Sequence, residues 1–154
     1  LEVRFPEDLR EWVPTGTLIS WLEEQVDELG RSHPRLHQIV SAQGSPSSKA
    51  LLRIVAFACV TRVFDDHEVA RLCHSDVAYR LLTDGTPPWP SDLARFRRKH
   101  RELIVRVLEE LSLKALQNRY APYEIASGKS LTEQLHNRAI DLLNTSCHVG
   151  SCDD

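Results

Sequence analysis

Five of the seven residues from Arg95 to Arg101 are basic: Arg95, Arg97, Arg98, Lys99 and Arg101. On a helix, Arg95, Arg98 and Lys99 fall on one side, three and four residues apart, while Leu93, Phe96 and His100 point to the core. Arg97 and Arg101 stack one turn apart and flank the basic side. A helix start set rigidly after a proline turn, with its first turns cationic, has the form needed to meet phosphates and base edges in a major groove. The expected chemistry is polyanion recognition, with duplex DNA as the partner and these five residues as the contacts. Taken alone, such a charge run also suits an ordinary solvated helix face.

Other chemistries find less support. None of the seven His residues forms a helical His-x-x-x-His pair with a nearby Glu, and His33 and His37 are separated by Pro34. Cys147-His148 and Cys152 invite a metal reading, but their spacing is loose and a second ligand pair is missing, so no metal is expected. Asp65, Asp66 and Glu68 carry enough oxygen for a cation, yet a capping box explains them more simply. Glycine-rich phosphate loops, nucleophile elbows and Cys-x-x-Cys motifs do not occur. No enzyme activity and no cofactor are expected.

The formal net charge of −3 conceals a polarised chain. Residues 1–30 hold eight acids and two bases, whereas residues 85–118 hold four acids and seven bases. Such asymmetry points to a local electropositive surface rather than a wholly basic binder. The acids Glu23, Glu24, Asp27 and Glu28 crowd one face of the first helix, as a solvated face or as a cover for the protein's own cations.

The elements that must position the basic residues follow from apolar spacing. An extended lead is punctuated by Pro6 and Pro14. Thr17 is expected to cap a first helix over 18–29, stopped by Gly30. Residues 31–48 read as a loop with a short helical turn near Leu36 to Val40. Ser47 or Ser48 starts a second helix, Lys49 to about Val63, apolar nearly all round and therefore central. Asp65 and Glu68 predict a capping box on a third helix from Asp66 to Cys73, and Ser75 a cap on a fourth from Asp76 to Leu82. Thr86-Pro87-Pro88-Trp89-Pro90 is a stiff linker. Ser91 is expected to cap one long fifth helix over 92–117, and Ser130 with Glu133 to open a sixth over 131–143 that stops at Asn144. With no convincing strand or repeat, the fold class is all-α, a single compact bundle of about six helices with a helix-turn-helix-like segment around the third to fifth.

The 154 residues suit one domain, and a chain of this size buries roughly 68–70% of its unfolded surface. The expected division is a helical domain over 1–144 and a short tail over 145–154. The apolar run from Ile54 to Val60 is far shorter than the ~20 residues needed to cross a bilayer, so no membrane span is expected. Nothing resembles a secretory signal, and the expected compartment is the cytoplasm. Cys59 and Cys73 fall in apolar helical stretches and read as core.

Several segments also carry a resemblance. Cys73-His74-Ser75-Asp76-Val77-Ala78-Tyr79-Arg80-Leu81-Leu82, then Ala94-Arg95-Phe96-Arg97-Arg98-Lys99-His100, follow an apolar helix in the order seen in a known family. The opening Arg4-Phe5-Pro6-Glu7-Asp8-Leu9-Arg10-Glu11-Trp12-Val13-Pro14 is also similar. The block from Leu51 to Arg101 resembles the N-terminal all-helical domain of bacterial insertion-sequence transposases of the DDE class. That resemblance implies a DNA-binding helical domain. Two departures accompany it: Pro88-Trp89-Pro90-Ser91-Asp92 replaces the family's Pro-Asp-His-like turn, and no Asp-Gly-Thr strand follows Leu113. Metal-dependent strand transfer needs carboxylates from a ribonuclease-H-like domain and is not expected here. The leading expectation is a non-catalytic, domesticated or truncated relative that binds duplex DNA through helix 92–117. The alternative is a protein-interaction or adaptor module, with a partner or homodimer surface on helices 18–29 and 131–143.

Overall fold

The apolar helix at the centre of the sequence is also the centre of the molecule. In a computed structural model describing residues 4–33, 36, 46–125 and 129–149, α2 spans Ser48–Val60, and every residue from Ala50 to Val60 is buried. Its start is fixed by Ser47, whose hydroxyl accepts the Ala50 N–H at 3.2 Å. Its end is fixed by Thr61, whose hydroxyl donates back to the Phe57 carbonyl at 2.7 Å, and by Arg62, whose φ of 59° turns the chain out of the helix. A helix with no polar face must be covered on all sides. Here α1, α4, α5, α6 and α7 cover it.

The remaining helices are α1 (Thr15–Ser32), α3 (Asp66–Ser75), α4 (Val77–Leu82), α5 (Pro90–Lys99), α6 (Arg101–Arg119) and α7 (Lys129–Val149). Among the described residues there is no strand, so the chain is all-α. Phe57, Leu52, Ile54, Leu18, Leu22, Leu93, Ile104 and Leu108 are fully buried. Each such side chain stabilises the fold by about 1.5–3 kcal/mol relative to exposure. α6 and α7 run antiparallel: Arg101 bonds Asn144, while Glu109 meets His136 and Ser112 meets Arg138 nearer the connecting turn.

Several boundaries differ from the sequence expectation. The first helix begins at Thr15 after Pro14, without a side-chain cap, and runs through buried Gly30 to Ser32. Asp65 caps α3 as expected by accepting the His67 N–H, but Glu68 turns outward to Arg71 at 2.6 Å instead of closing the box. Asp76, not Ser75, caps α4 by accepting the Tyr79 N–H. The sixth expected helix starts at Lys129 and passes Asn144 without stopping. Ser146 is buried, so the helical body reaches beyond residue 144 and the start of the expected tail belongs to α7. Residues 37–40 of the expected short turn, and residues 150–154 with Cys152, lie outside the described residues.

The lead is more ordered than an extended segment. Asp8 accepts the Arg10 N–H at 2.9 Å and caps a 3-10 turn over Leu9–Glu11. That turn buries Leu9 and Val13 and sets the Phe5 ring 5.4 Å from Trp12. Trp12 in turn meets Tyr120 edge-on at 6.0 Å, joining the lead to the end of α6.

Candidate nucleic-acid interface

The turn before the basic helix is fixed by backbone conformation and by two carboxylates. Asp84 and Gly85 both take left-handed conformations, with φ of 53° and 87°, and Pro87 and Pro88 then hold the chain extended. The Asp84 carboxylate pairs with Arg53 of buried α2, which anchors the turn to the core. Helix α5 starts at Pro90, one residue before the expected Ser91 cap, because the Asp92 carboxylate reaches back to accept the Trp89 N–H at 2.9 Å. Proline suits this first position, since its missing N–H would have no helical partner there.

The expected helix over 92–117 is two helices. His100 has φ −123° and ψ 40°, outside the helical range, and ends α5 while starting α6. Its ring stays packed on Phe96, with centroids 4.7 Å apart. A break confined to one residue barely disturbs the repeat of buried positions, which continues through Leu103, Ile104, Val107 and Leu108. Apolar spacing therefore carried no sign of it.

The five expected contacts separate into three groups. Arg95, Arg98 and Lys99 are exposed and share one side of α5. Arg95 also reaches the Asp92 carboxylate at 3.0 Å, a partly exposed pair that leaves its side chain 66% accessible. Arg101 lies past the break and is exposed, and it donates to Asn144 Oδ1 at 2.7 Å and to Cys147 Sγ at 3.6 Å. Arg97 is the correction. Its side chain is 3% exposed and forms an ion pair with the buried carboxylate of Asp66, at the start of α3. It cannot reach a phosphate from there. The reason is helical phase: position 97 lies four residues after Leu93 and next to Phe96, on the inward stripe. That spacing was available in the sequence, as was the unmatched acid at Asp66.

Around this pair the interior is polar but closed. Burial pushes the Asp66 carboxyl above its usual range, and the Arg97 guanidinium pulls it partly back. Cys59 of α2 and Ser146 of α7 lie nearby, and burial raises the Cys59 thiol to about 12. Cys73 is also raised to about 12 by burial. Both cysteines are core residues, as their sequence positions imply.

The acidic face of α1 does not lie on the basic helix. Its ion pairs run from Asp27 to Lys49 at 3.0 Å and from Glu24 to Lys114 at 3.8 Å, on α2 and α6. Among the described residues no acid of α1 pairs with α5. Also among the described residues, no three His, Cys, Asp or Glu side chains converge as metal ligands, and no helix is long and apolar enough to cross a membrane.

Sequence reasoning missed two further surfaces. Val77, Leu81 and Trp89 are exposed apolar side chains, the first two beside a cavity of about 600 Å³ lined by Cys73, His74, Arg80 and Pro87. Arg62 and Arg138 line a second cavity, between α7 and the end of α2. The second set joins distant segments of the chain, so no spacing motif announces it. No protein-family description, characterised protein or solved structure matches the chain.

Proposed function

We propose that the protein binds duplex DNA through α5, as a relative of the transposase N-terminal domain it resembles. One observation carries this reading: Arg95, Arg98 and Lys99 stand exposed together on one side of a helix whose other side is locked into the core by Leu93, Phe96 and Arg97. Rigid presentation matters because each cation then meets a phosphate without first ordering a loop. Arg101, bonded to Asn144 of α7, is a fourth exposed cation just past the end of α5. In this reading α3 and α4 form the supporting turn, with Arg97 positioning the helix rather than touching DNA.

A protein-partner reading is favoured by a different observation, the exposed apolar pair Val77 and Leu81 beside one cavity. Apolar clusters of this kind mark interfaces more often than they mark phosphate contacts.

The deciding experiment is fluorescence anisotropy of a mixed-sequence duplex with wild type and with the triple variant R95E/R98E/K99E, over a salt series. Four phosphate-neutralising cations give a slope of log affinity against log salt near −4. Absence of wild-type binding at low salt would overturn the DNA reading. Equal binding by a folded triple variant would remove DNA from α5.

A further inference from the structure

Arg138 of α7 is held on three sides before any ligand is considered. Its Nε–H donates to Ser112 Oγ at 3.3 Å, its guanidinium lies 4.4 Å from the centre of the Phe5 ring, and its Nη2 is buried. Among the described residues that Nη2 has no hydrogen-bond partner. Burial, with the like charge of Arg62 adding to it, lowers the Arg138 guanidinium to about 10, so it still carries its charge at neutral pH. A partly buried cation that has no ion pair among the described residues is costly to hold in the fold.

The surroundings give that cation a cavity. About 410 Å³ of space is lined by Arg138, Arg62, Gln134, Asn137, Thr145 and Asp141, with Phe5 and Leu142 as its apolar wall. Arg62 is fixed in its own way, its guanidinium 5.1 Å from the centre of the Phe64 ring. The cavity wall therefore presents two guanidinium groups and one carboxylate. That carboxylate, Asp141, is exposed and lies outside ion-pair distance of both arginines among the described residues. The wall has a net positive charge, amide and hydroxyl groups beside it, and a volume that fits a small molecule.

We propose that this cavity binds a small organic oxyanion, its carboxylate or phosphate head between Arg138 and Arg62 and its apolar part against Phe5 and Leu142. Guanidinium N–H groups suit oxyanions better than halides, and with Nε on Ser112 and Nη2 shut away from solvent, Arg138 contributes Nη1 to the head group while Arg62 supplies the second cationic donor. The Phe5 and Ser112 contacts already fix the orientation of Arg138, so little freedom is lost when the head group docks. The site does not depend on DNA binding, because none of its residues belongs to α5.

The test is isothermal titration of the full chain with phenyl phosphate and with benzoate, each against sodium chloride at equal ionic strength and against benzyl alcohol. Saturable binding of at least one anion is expected, with no binding of the alcohol, and the tighter anion identifies the head group. Arg138→Gln should weaken that binding at least tenfold. Arg62→Gly provides a second variant that relieves backbone strain, since glycine accepts the φ of 59° more readily than arginine does. It too should weaken binding at least tenfold, whereas R95E/R98E/K99E should leave it unchanged. Heats no larger than the chloride control, binding unchanged in Arg62→Gly, or loss of binding in the α5 triple variant would each overturn the site.

Discussion

The guanidinium of Arg97 and the carboxylate of Asp66 meet inside the protein and join the basic helix α5 to the first turn of α3. Both partners are almost completely shielded from water. Removing one of them takes the charge partner from the other inside the protein, a loss of about 3–5 kcal/mol. Arg97→Ala and Asp66→Ala should each lower the urea midpoint by that order. Replacing both with apolar residues, as in Arg97→Met with Asp66→Leu, should recover most of the loss. A double variant as unstable as the singles would show that the pair does more than cancel its own burial cost.

At the surface of the same helix, charge reversal should act on affinity and leave stability nearly unchanged. R95E/R98E/K99E removes three of the four exposed cations proposed to meet phosphates, so it should lower the magnitude of the salt slope by about 3. Circular dichroism should show wild-type helicity, because none of the three side chains packs in the core. Arg97→Glu should behave in the opposite way, with lost stability dominating. A triple variant that unfolds would contradict the exposed placement of these residues.

Much of this arrangement is written in the sequence. The buried ring around α2, the inward stripe of Leu93 and Phe96, and the start of α3 at Asp65 all follow from spacing and cap chemistry. What spacing could not supply was where a single residue changes state. His100 leaves the helix without disturbing the periodicity, and Asp76 outcompetes Ser75 as a cap by one position. Arg97 was misplaced for another reason. A charged side chain is read as exposed by type, and only its distant partner Asp66 makes its burial tolerable. The Arg62–Arg138 cavity joins segments more than seventy residues apart, which no local pattern encodes.

Alkaline conditions probe the interior through Cys59. Its thiol titrates near 12 in the folded chain against an ordinary value of 9.0, so the folded state holds this proton more tightly than the unfolded state does. The resulting stabilisation is complete below pH 9 and is lost as pH rises from 9 toward 12, by up to ~1.4 kcal/mol per pH unit. Denaturant titrations between pH 8 and 11 should show the decline, and Cys59→Ala should reduce it. In the native protein at pH 8, Cys59 and Cys73 should resist a disulfide reagent that labels both after unfolding.

Arg62 occupies a left-handed conformation that costs an ordinary side chain about 1–2 kcal/mol. Arg62→Gly should therefore raise stability by about 1 kcal/mol, less the lost contact with Phe64. Thermal denaturation measures this directly. A destabilised Arg62→Gly would mean that the arginine contributes more through its side chain than its backbone costs.

The all-round burial of α2 has a consequence for the chain when it is not folded. Residues 54–60 read Ile-Val-Ala-Phe-Ala-Cys-Val, with no charge, proline or glycine, and with β-branched or aromatic side chains at four of seven positions. Released from its five covering helices, such a segment favours extended stacking with copies of itself over helix formation. Arg53, one residue upstream, is the nearest charge that interrupts such stacking, and in the native state it is bound to Asp84. Newly made or heated chains thus depend on α2 being enclosed quickly, and the ion pair that steadies the turn before α5 draws on the same residue that keeps the unfolded chain from aggregating.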